Sequence, residues 1–284
     1  MNQIGLLIIR ILSFLPLWFL RFYALKIYIL IRFFGYRKNV ITQNLNNSFP
    51  NKSTQEKRRI IKKFYWYFAQ FLTEMIKMFC ISKNSIRKRI QFKNKALIQD
   101  YYSEGRDVIL VLGHYGNWEW GLLATSLVSD HEMVGVYKPL SSSFWNQQIK
   151  KLRSKFGATL ISMKESSRHL LKQGSNPRLI GLIGDQSPTK NEIDYWTTFL
   201  NQGTAVFLGT EKLAKKLNCP VVFVHIDEIK IGYYEMSFEL ITENPQENPE
   251  GEITNLHTQK LEEKINERPE LWLWSHKRWK HSRT

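Results

Sequence analysis

The sequence predicts an α/β protein in which a mixed sheet flanked by helices follows a helical N-terminal region. From Asp107 onward, short runs rich in Val, Ile and Leu alternate with helical stretches, beginning with VILVL and continuing through MVGVYK and RLIGLIGD. Upstream, apolar and aromatic positions between residues 53 and 71 recur with helical periodicity. We therefore divide the chain into a helical region at residues 1–95 and an α/β domain at residues 96–284.

The boundaries of single elements follow from local signals. Ser53 and Glu56 have the spacing of a capping box, which predicts that a helix begins there. VVFVHI at residues 221–226 is a continuous apolar run, whereas YYEMSFELI at residues 233–241 alternates, and both patterns indicate strands. The polar segment at residues 243–252 predicts a surface loop, followed by a helix that ends before Pro269.

The charge balance restricts the partners. The chain has 41 Lys and Arg against 25 Asp and Glu, a formal net charge of +16. Such a charge favours nucleic acid, anionic lipid headgroups or an acidic protein. The only two cysteines, Cys80 and Cys219, form no C-x-x-C pair, which argues against a disulfide framework, a redox motif or a zinc site.

The N-terminal segment favours a membrane surface among these partners. Residues 4–35 are mostly apolar and aromatic, yet Arg10, Arg21 and Arg32 interrupt them and recur on nearly one helical face. No acidic residue precedes Glu56. This pattern is typical of an amphipathic element in the headgroup region, with its basic side chains on phosphates. A buried helical hairpin and a secretory signal peptide remain alternatives.

The segment GHYGNWEW holds the best catalytic candidates. His114 follows a predicted buried strand, and Glu119 lies near the start of the next helix. A carboxylate can orient an imidazole so that its other nitrogen takes a proton from an attacking hydroxyl. The spacing fits equally well a histidine in a turn and an acid favoured by a helix dipole. Signatures of serine hydrolases, zinc proteases and P-loop enzymes are missing.

GHYGNWEW closely resembles the H-x4-D/E motif of glycerolipid acyltransferases, in the form typical of the lipid A late acyltransferase branch. Further segments resemble the same family in the same order along nearly the full length. They are NLNNSFP at 44–50, VYKPL at 136–140, LRSKFGATLI at 152–161, GLIGDQSP at 181–188 and PELWLWSHKRWK at 269–280.

The resemblance implies a glycerolipid acyltransferase-like fold with His114 and Glu119 as the catalytic pair. It implies an acyl carrier protein or coenzyme A thioester as donor, a lipid A precursor or similar glycolipid as acceptor, and no further cofactor or metal. Arg153 matches the family's R-x3-G element, and Asp185 and Gln186 match its DQ element. The residues expected to bind substrate or support the site are Asn117, Lys138, Arg153, Asp185 and Gln186.

The C-terminal tail LWLWSHKRWKHSRT mixes tryptophans with cations, a composition that suits a membrane interface. We expect phosphate or membrane contacts from Arg10, Arg21, Arg32, Lys277 and Arg278, at the cytoplasmic face of the inner membrane. The alternatives are an acyltransferase for another membrane lipid, such as a phospholipid or aminolipid, and a basic nucleic-acid-binding or scaffold protein. Nucleic acid is the less favoured partner, because the N-terminal segment is apolar and free of acids.

Overall fold

The computed structural model describes residues 2–172, 174 and 176–281, and it confirms the predicted mixed sheet with flanking helices. Nine strands are present in the described part of the chain. They are β1 (Ile90–Phe92), β2 (Val108–Leu112), β3 (Glu132–Tyr137), β4 (Thr159–Ser162), β5 (Arg178–Ile183), β6 (Tyr195–Phe199), β7 (Gln202–Val206), β8 (Val221–Lys230) and β9 (Tyr233–Thr242).

The helices lie before the sheet, between its strands and after it. They are α1 (Asn2–Phe14), α2 (Leu17–Phe33), α3 (Lys38–Ser48), α4 (Thr54–Lys77), α5 (Lys83–Arg89), α6 (Ala96–Ser103), α7 (Trp118–Val128), α8 (Ser143–Arg153), α9 (Met163–Leu170), α10 (Gly209–Leu217) and α11 (Glu252–Glu267).

The main sheet has seven strands in the order β1-β9-β8-β2-β5-β3-β4, while β6 and β7 form a separate antiparallel hairpin. The β8–β9 pair is antiparallel, and the other neighbours are parallel. Strand β2 pairs with β5 so that Leu112 lies opposite Ile183. Because parallel strands end at the same edge, the residues that follow β2 and β5 lie side by side.

The helix α4 joins the N-terminal region to the sheet. Its capping box forms as predicted, with Ser53 Oγ accepting from the Glu56 N–H at 3.2 Å and Glu56 Oε2 accepting from the Ser53 N–H at 2.7 Å. On its inner face, the Phe71 ring lies 4.4 Å from that of Trp118, centroid to centroid. The helices before residue 95 and the α/β domain therefore share one hydrophobic core.

The helices α1 and α2 bury only a narrow stripe, including Leu20 and Ala24 of α2. Within the described ranges, none of the helices has the combination of length and apolar character needed to cross a membrane. These helices and the residue after α2 nevertheless expose many apolar side chains. These are Ile4, Leu7, Ile8, Ile11, Phe14, Trp18, Phe22, Leu25, Ile29, Leu30, Phe33 and Phe34.

The C-terminal tail differs from the expectation of an interfacial segment. Trp272 and Trp274 are fully buried core residues, and Arg278 is only 2% exposed. The Arg278 Nη1 donates to the Ala205 carbonyl oxygen at 2.8 Å, so its charge faces the protein rather than a membrane phosphate. A sequence of alternating aromatic rings and cations is compatible with a membrane interface. It is equally compatible with a protein core in which the cations donate to backbone carbonyls. Lys277 is exposed, and Arg283 lies outside the described residues.

Candidate active site

The side chain of His114 is held by Asp185, which follows the neighbouring strand β5. His114 Nδ1 lies 2.6 Å from Asp185 Oδ1, and the His114 backbone N–H donates to Asp185 Oδ2 at 2.9 Å. Trp272 Nε1 donates to the same Oδ2 at 2.7 Å. The Asp185 side chain is 2% exposed and the His114 side chain 17%. The parallel pairing of β2 with β5 therefore brings together a partly exposed histidine and a buried aspartate.

The electrostatics of this pair keep Asp185 ionised. Burial by itself raises the pKa of Asp185, but the charge of His114, hydrogen bonds from its ring and backbone, and the Trp272 indole outweigh burial. The pKa falls to about 2. An ionised carboxylate accepts hydrogen bonds only, so the proton on the His114 ring belongs on Nδ1. Nε2 is then a free acceptor, and Gln186 Nε2 lies 3.3 Å from it.

Glu119 forms a different pair. It accepts from Arg153 at both oxygens, with Nε to Oε2 at 2.8 Å and Nη2 to Oε1 at 2.5 Å. The Glu119 side chain is 5% exposed and that of Arg153 25%. Burial lowers the pKa of Arg153, but Glu119 outweighs it and the pKa rises. Glu119 lies in the first turn of α7 and pairs with the end of α8, whereas the carboxylate in contact with the His114 ring is that of Asp185.

A buried carboxylate from α4 supports the same loop. Asn117, the N-cap of α7, accepts from the Trp120 N–H at 2.9 Å and donates its Nδ2 to Glu74 Oε2 at 2.5 Å. Tyr234 donates its hydroxyl to the same oxygen at 2.8 Å. Burial raises the pKa of Glu74 to about 7, against the effect of these hydrogen bonds. No sequence motif marks Glu74, and its role was missed.

Backbone contacts fix the loop between His114 and Asn117. The Leu273 N–H donates to the His114 carbonyl at 3.1 Å, and the Gly116 N–H donates to the Leu271 carbonyl at 3.2 Å. Gly116 has a φ of 61°, and a Cβ there would lie 2.1 Å from the Ile226 carbonyl oxygen. Only glycine combines that backbone conformation with so close an approach. The C-terminal tail thus anchors the histidine.

Comparison with known proteins identifies the family to which the chain belongs. The family model described as bacterial lipid A biosynthesis acyltransferase matches residues 1–281. The chain belongs to this family. The resemblance carried by GHYGNWEW and its companion segments is therefore confirmed, and the protein is an acyltransferase of lipid A biosynthesis.

Two curated proteins of the family are similar to this chain at low identity. A lipid A biosynthesis acyltransferase of Haemophilus influenzae is 22% identical over 239 residues, which cover 81% of this chain and 72% of the relative. A lipid A biosynthesis lauroyltransferase of Escherichia coli strain K12 is 24% identical over 257 residues, which cover 88% and 81%. The similarity therefore extends over most of each chain.

Among the described residues, Lys138 and the three N-terminal arginines predicted for this acyltransferase make no hydrogen bond to the His114–Asp185 pair. Lys138 is exposed just after β3. On the N-terminal helices, Arg10 is exposed, Arg21 donates to the Ile231 carbonyl at 3.1 Å, and Arg32 donates to the Tyr28 hydroxyl at 2.6 Å. No group of His, Cys, Asp and Glu among residues 2–172, 174 and 176–281 is arranged to hold a metal ion.

Two further histidines lie close to the site. His276 belongs to the family-like segment at 269–280, whereas His257 lies in none of the segments that resemble the family. His257 lines a cavity of about 10 Å³ together with Asp185, and burial lowers its pKa to about 4. His276 Nε2 lies 3.2 Å from the Ser187 backbone N–H and accepts from it, and burial also lowers the pKa of His276 to about 4. Both rings are therefore neutral in the folded enzyme near pH 7.

Proposed function

We propose that this acyltransferase moves a fatty acyl group from an acyl carrier protein or coenzyme A thioester onto a hydroxyl of a lipid A precursor, with His114 as the general base. The observation that carries this proposal is the hydrogen bonding of the His114 ring. Its Nδ1 is held at 2.6 Å by Asp185, so Nε2 is the basic nitrogen, in a side chain that remains 17% exposed.

The step balances without another reactant. The acceptor hydroxyl oxygen attacks the thioester carbonyl as His114 Nε2 takes the hydroxyl proton. Asp185 stabilises the imidazolium that forms. The tetrahedral intermediate then collapses, the C–S bond breaks, and the thiolate leaves and accepts the proton from His114. Gln186 Nε2, at 3.3 Å from His114 Nε2, is placed to donate to the substrate oxygen that becomes negative.

Glu119 acts through Arg153 in this proposal. The two-point contact fixes the plane of the guanidinium, and Nη1 has no hydrogen bond to the described part of the chain. Arg153 is thereby set to bind a phosphate of the donor or the acceptor. Lys138, an exposed cation, completes the proposed substrate-binding set, whereas Asn117 supports the site by capping α7.

The N-terminal helices give the enzyme a place to meet its lipid. The exposed apolar face of α1 and α2 lies next to Arg10, Arg21 and Arg32, which suits insertion into an anionic leaflet. We place the enzyme at the cytoplasmic face of the inner membrane, where an acyl carrier protein reaches it. The net charge of +16 favours binding both to an anionic leaflet and to an anionic carrier protein.

Mass spectrometry of the acylated lipid tests the proposal. Purified enzyme is incubated with acyl carrier protein thioester and a mixture of lipid A precursor and phospholipids. The expected product is the precursor with one added acyl group in ester linkage, with equal release of thiol. Acylation of a phospholipid or aminolipid alone would overturn the assignment of the acceptor, and thiol release without any acylated lipid would overturn the transfer itself.

A further inference from the structure

A second cavity, of about 290 Å³, lies where α1 meets α8 and the end of α4. It shares no lining residue with the His114 site. Its walls divide into a cationic part, formed by Arg10, Lys151 and Lys155, and an apolar part that includes Phe14 and Phe79. Its volume is close to the lower limit for small-molecule sites in proteins, which is roughly 300 Å³.

The cationic part carries no compensating acid. None of Arg10, Lys151 and Lys155 forms an ion pair with any described residue, and the cavity lining contains no Asp or Glu. Lys155 Nζ donates to the carbonyls of Met78 at 3.0 Å and Phe79 at 3.1 Å, which fixes it at the wall and leaves a third N–H available. Burial lowers the pKa of Lys155, a cost that a bound anion would offset.

Gln148 adds an available hydrogen-bonding group to the wall of the cavity. It lines the cavity, is only 7% exposed, and its amide has no hydrogen-bond partner in the parts of the chain that the structure describes. The amide atoms are not completely enclosed by protein, so a group in the cavity that Gln148 lines can reach them. An oxygen-rich group in the cavity would accept from Gln148 Nε2 and from the cations together.

The apolar part shows what else the ligand carries. Phe14 is 77% exposed and is one of the exposed apolar side chains of α1 and α2. The cavity therefore lies beside the apolar surface that the proposed function assigns to the membrane. A free anion would leave Phe14 and Phe79 uncovered, whereas an acyl chain would cover them.

We propose that this cavity binds the phosphate headgroup of a membrane lipid, with the lipid's chain along Phe14. The inference uses the membrane orientation given under Proposed function, and it does not depend on the acyl transfer. The phosphate can belong either to the acceptor glycolipid or to an anionic phospholipid of the same leaflet, since both lipids present this group.

Binding is measured by calorimetry on full-length His114→Ala protein, so that failure of transfer cannot hide or mimic the result. The probe is decyl phosphate below its micellar concentration, with decyl glucoside as the uncharged analogue. We expect decyl phosphate to bind at least about tenfold more tightly, and Lys151→Ala to weaken it about tenfold, as loss of one charge-assisted contact requires. Gln148→Leu should weaken it several-fold.

Lys150→Ala is the matched control, because Lys150 is exposed on the same helix but does not line the cavity. Equal binding of the two probes, or equal weakening by Lys150→Ala and Lys151→Ala, would overturn the proposal. Kinetic measurements on Lys151→Ala in the otherwise wild-type, active enzyme then distinguish the two sources of the phosphate. A raised KM for the acceptor identifies the glycolipid, and lost stimulation by phosphatidylglycerol vesicles at unchanged KM identifies the bulk lipid.

Discussion

Replacing Asp185 with Asn tests which carboxylate holds the catalytic histidine. Asp185 accepts from the His114 ring, the His114 backbone and the Trp272 indole. An Asn there has one acceptor oxygen, and its NH₂ group must face a donor at one of these contacts. The His114 ring can satisfy that NH₂ only by moving its proton from Nδ1 to Nε2, the nitrogen that has to accept the hydroxyl proton.

The size of the effect follows from the site. The pKa of Asp185 falls from 3.8 to about 2, so its contacts, after the opposing effect of burial, favour the ionised form by a net of about 2 kcal/mol. The unfavourable tautomer adds to that loss, since a comparable substitution in serine proteases lowers kcat about 10⁴-fold. We expect Asp185→Asn to lower kcat for acyl transfer about 10³-fold or more, with a small change in KM.

The assay follows thiol release from the acyl thioester in the presence of lipid A precursor, at saturating concentrations of both. Trp272→Phe is the companion variant, because it removes one donor to Asp185 and leaves the contact with the His114 ring. Its kcat should fall far less. A folded Asp185→Asn enzyme that keeps more than about a third of wild-type kcat would refute the assignment of Asp185 as the orienting group.

Three further perturbations have defined outcomes. Arg153→Ala leaves the buried Glu119 unpaired and should lower the free energy of unfolding by about 3 kcal/mol in urea titrations. Adding Glu119→Gln to the same chain should partly reverse this effect. An unchanged free energy of unfolding in Arg153→Ala would show the pair to be exposed in solution. Wild-type His257 stays neutral in the folded protein but binds a proton in the unfolded chain, so the free energy of unfolding falls by up to about 3 kcal/mol between pH 6.5 and 4. His257→Gln should make this fall smaller. Identical profiles of unfolding free energy against pH in the two proteins would contradict the prediction. Gly116→Ala forces a Cβ against the Ile226 carbonyl and should lower both the melting temperature and kcat, whereas a fully active, equally stable variant would exclude the tight loop.

The sheet and the strand-end position of His114 were predictable because short apolar runs mark buried strands regardless of their neighbours. The partner of His114 was not predictable from spacing. Glu119 is near in sequence, but Asp185 is brought to the histidine by the pairing of β2 with β5, and strand order depends on contacts distant along the chain. Asp185 itself was found only through the family resemblance of GLIGDQSP.

Glu74 and the C-terminal tail show two other limits. Glu74 lies within an amphipathic helix, and its buried contact with Asn117 leaves no periodic or motif signal. In the tail, the same mixture of rings and cations is compatible with an interface and with a core. The burial of Trp274 and the hydrogen bond from Arg278 to Ala205 show that the tail belongs to the core. Both features depend on tertiary packing.

The most direct test of the central claim compares His114→Ala with His169→Ala in acyl transfer to purified lipid A precursor. His169 is an exposed histidine on α9 and serves as the control for loss of an imidazole. General-base catalysis by His114 predicts at least about a 10²-fold loss of kcat in His114→Ala, with normal thermal unfolding, and wild-type rates in His169→Ala. Undiminished transfer by a folded His114→Ala enzyme would contradict the mechanism.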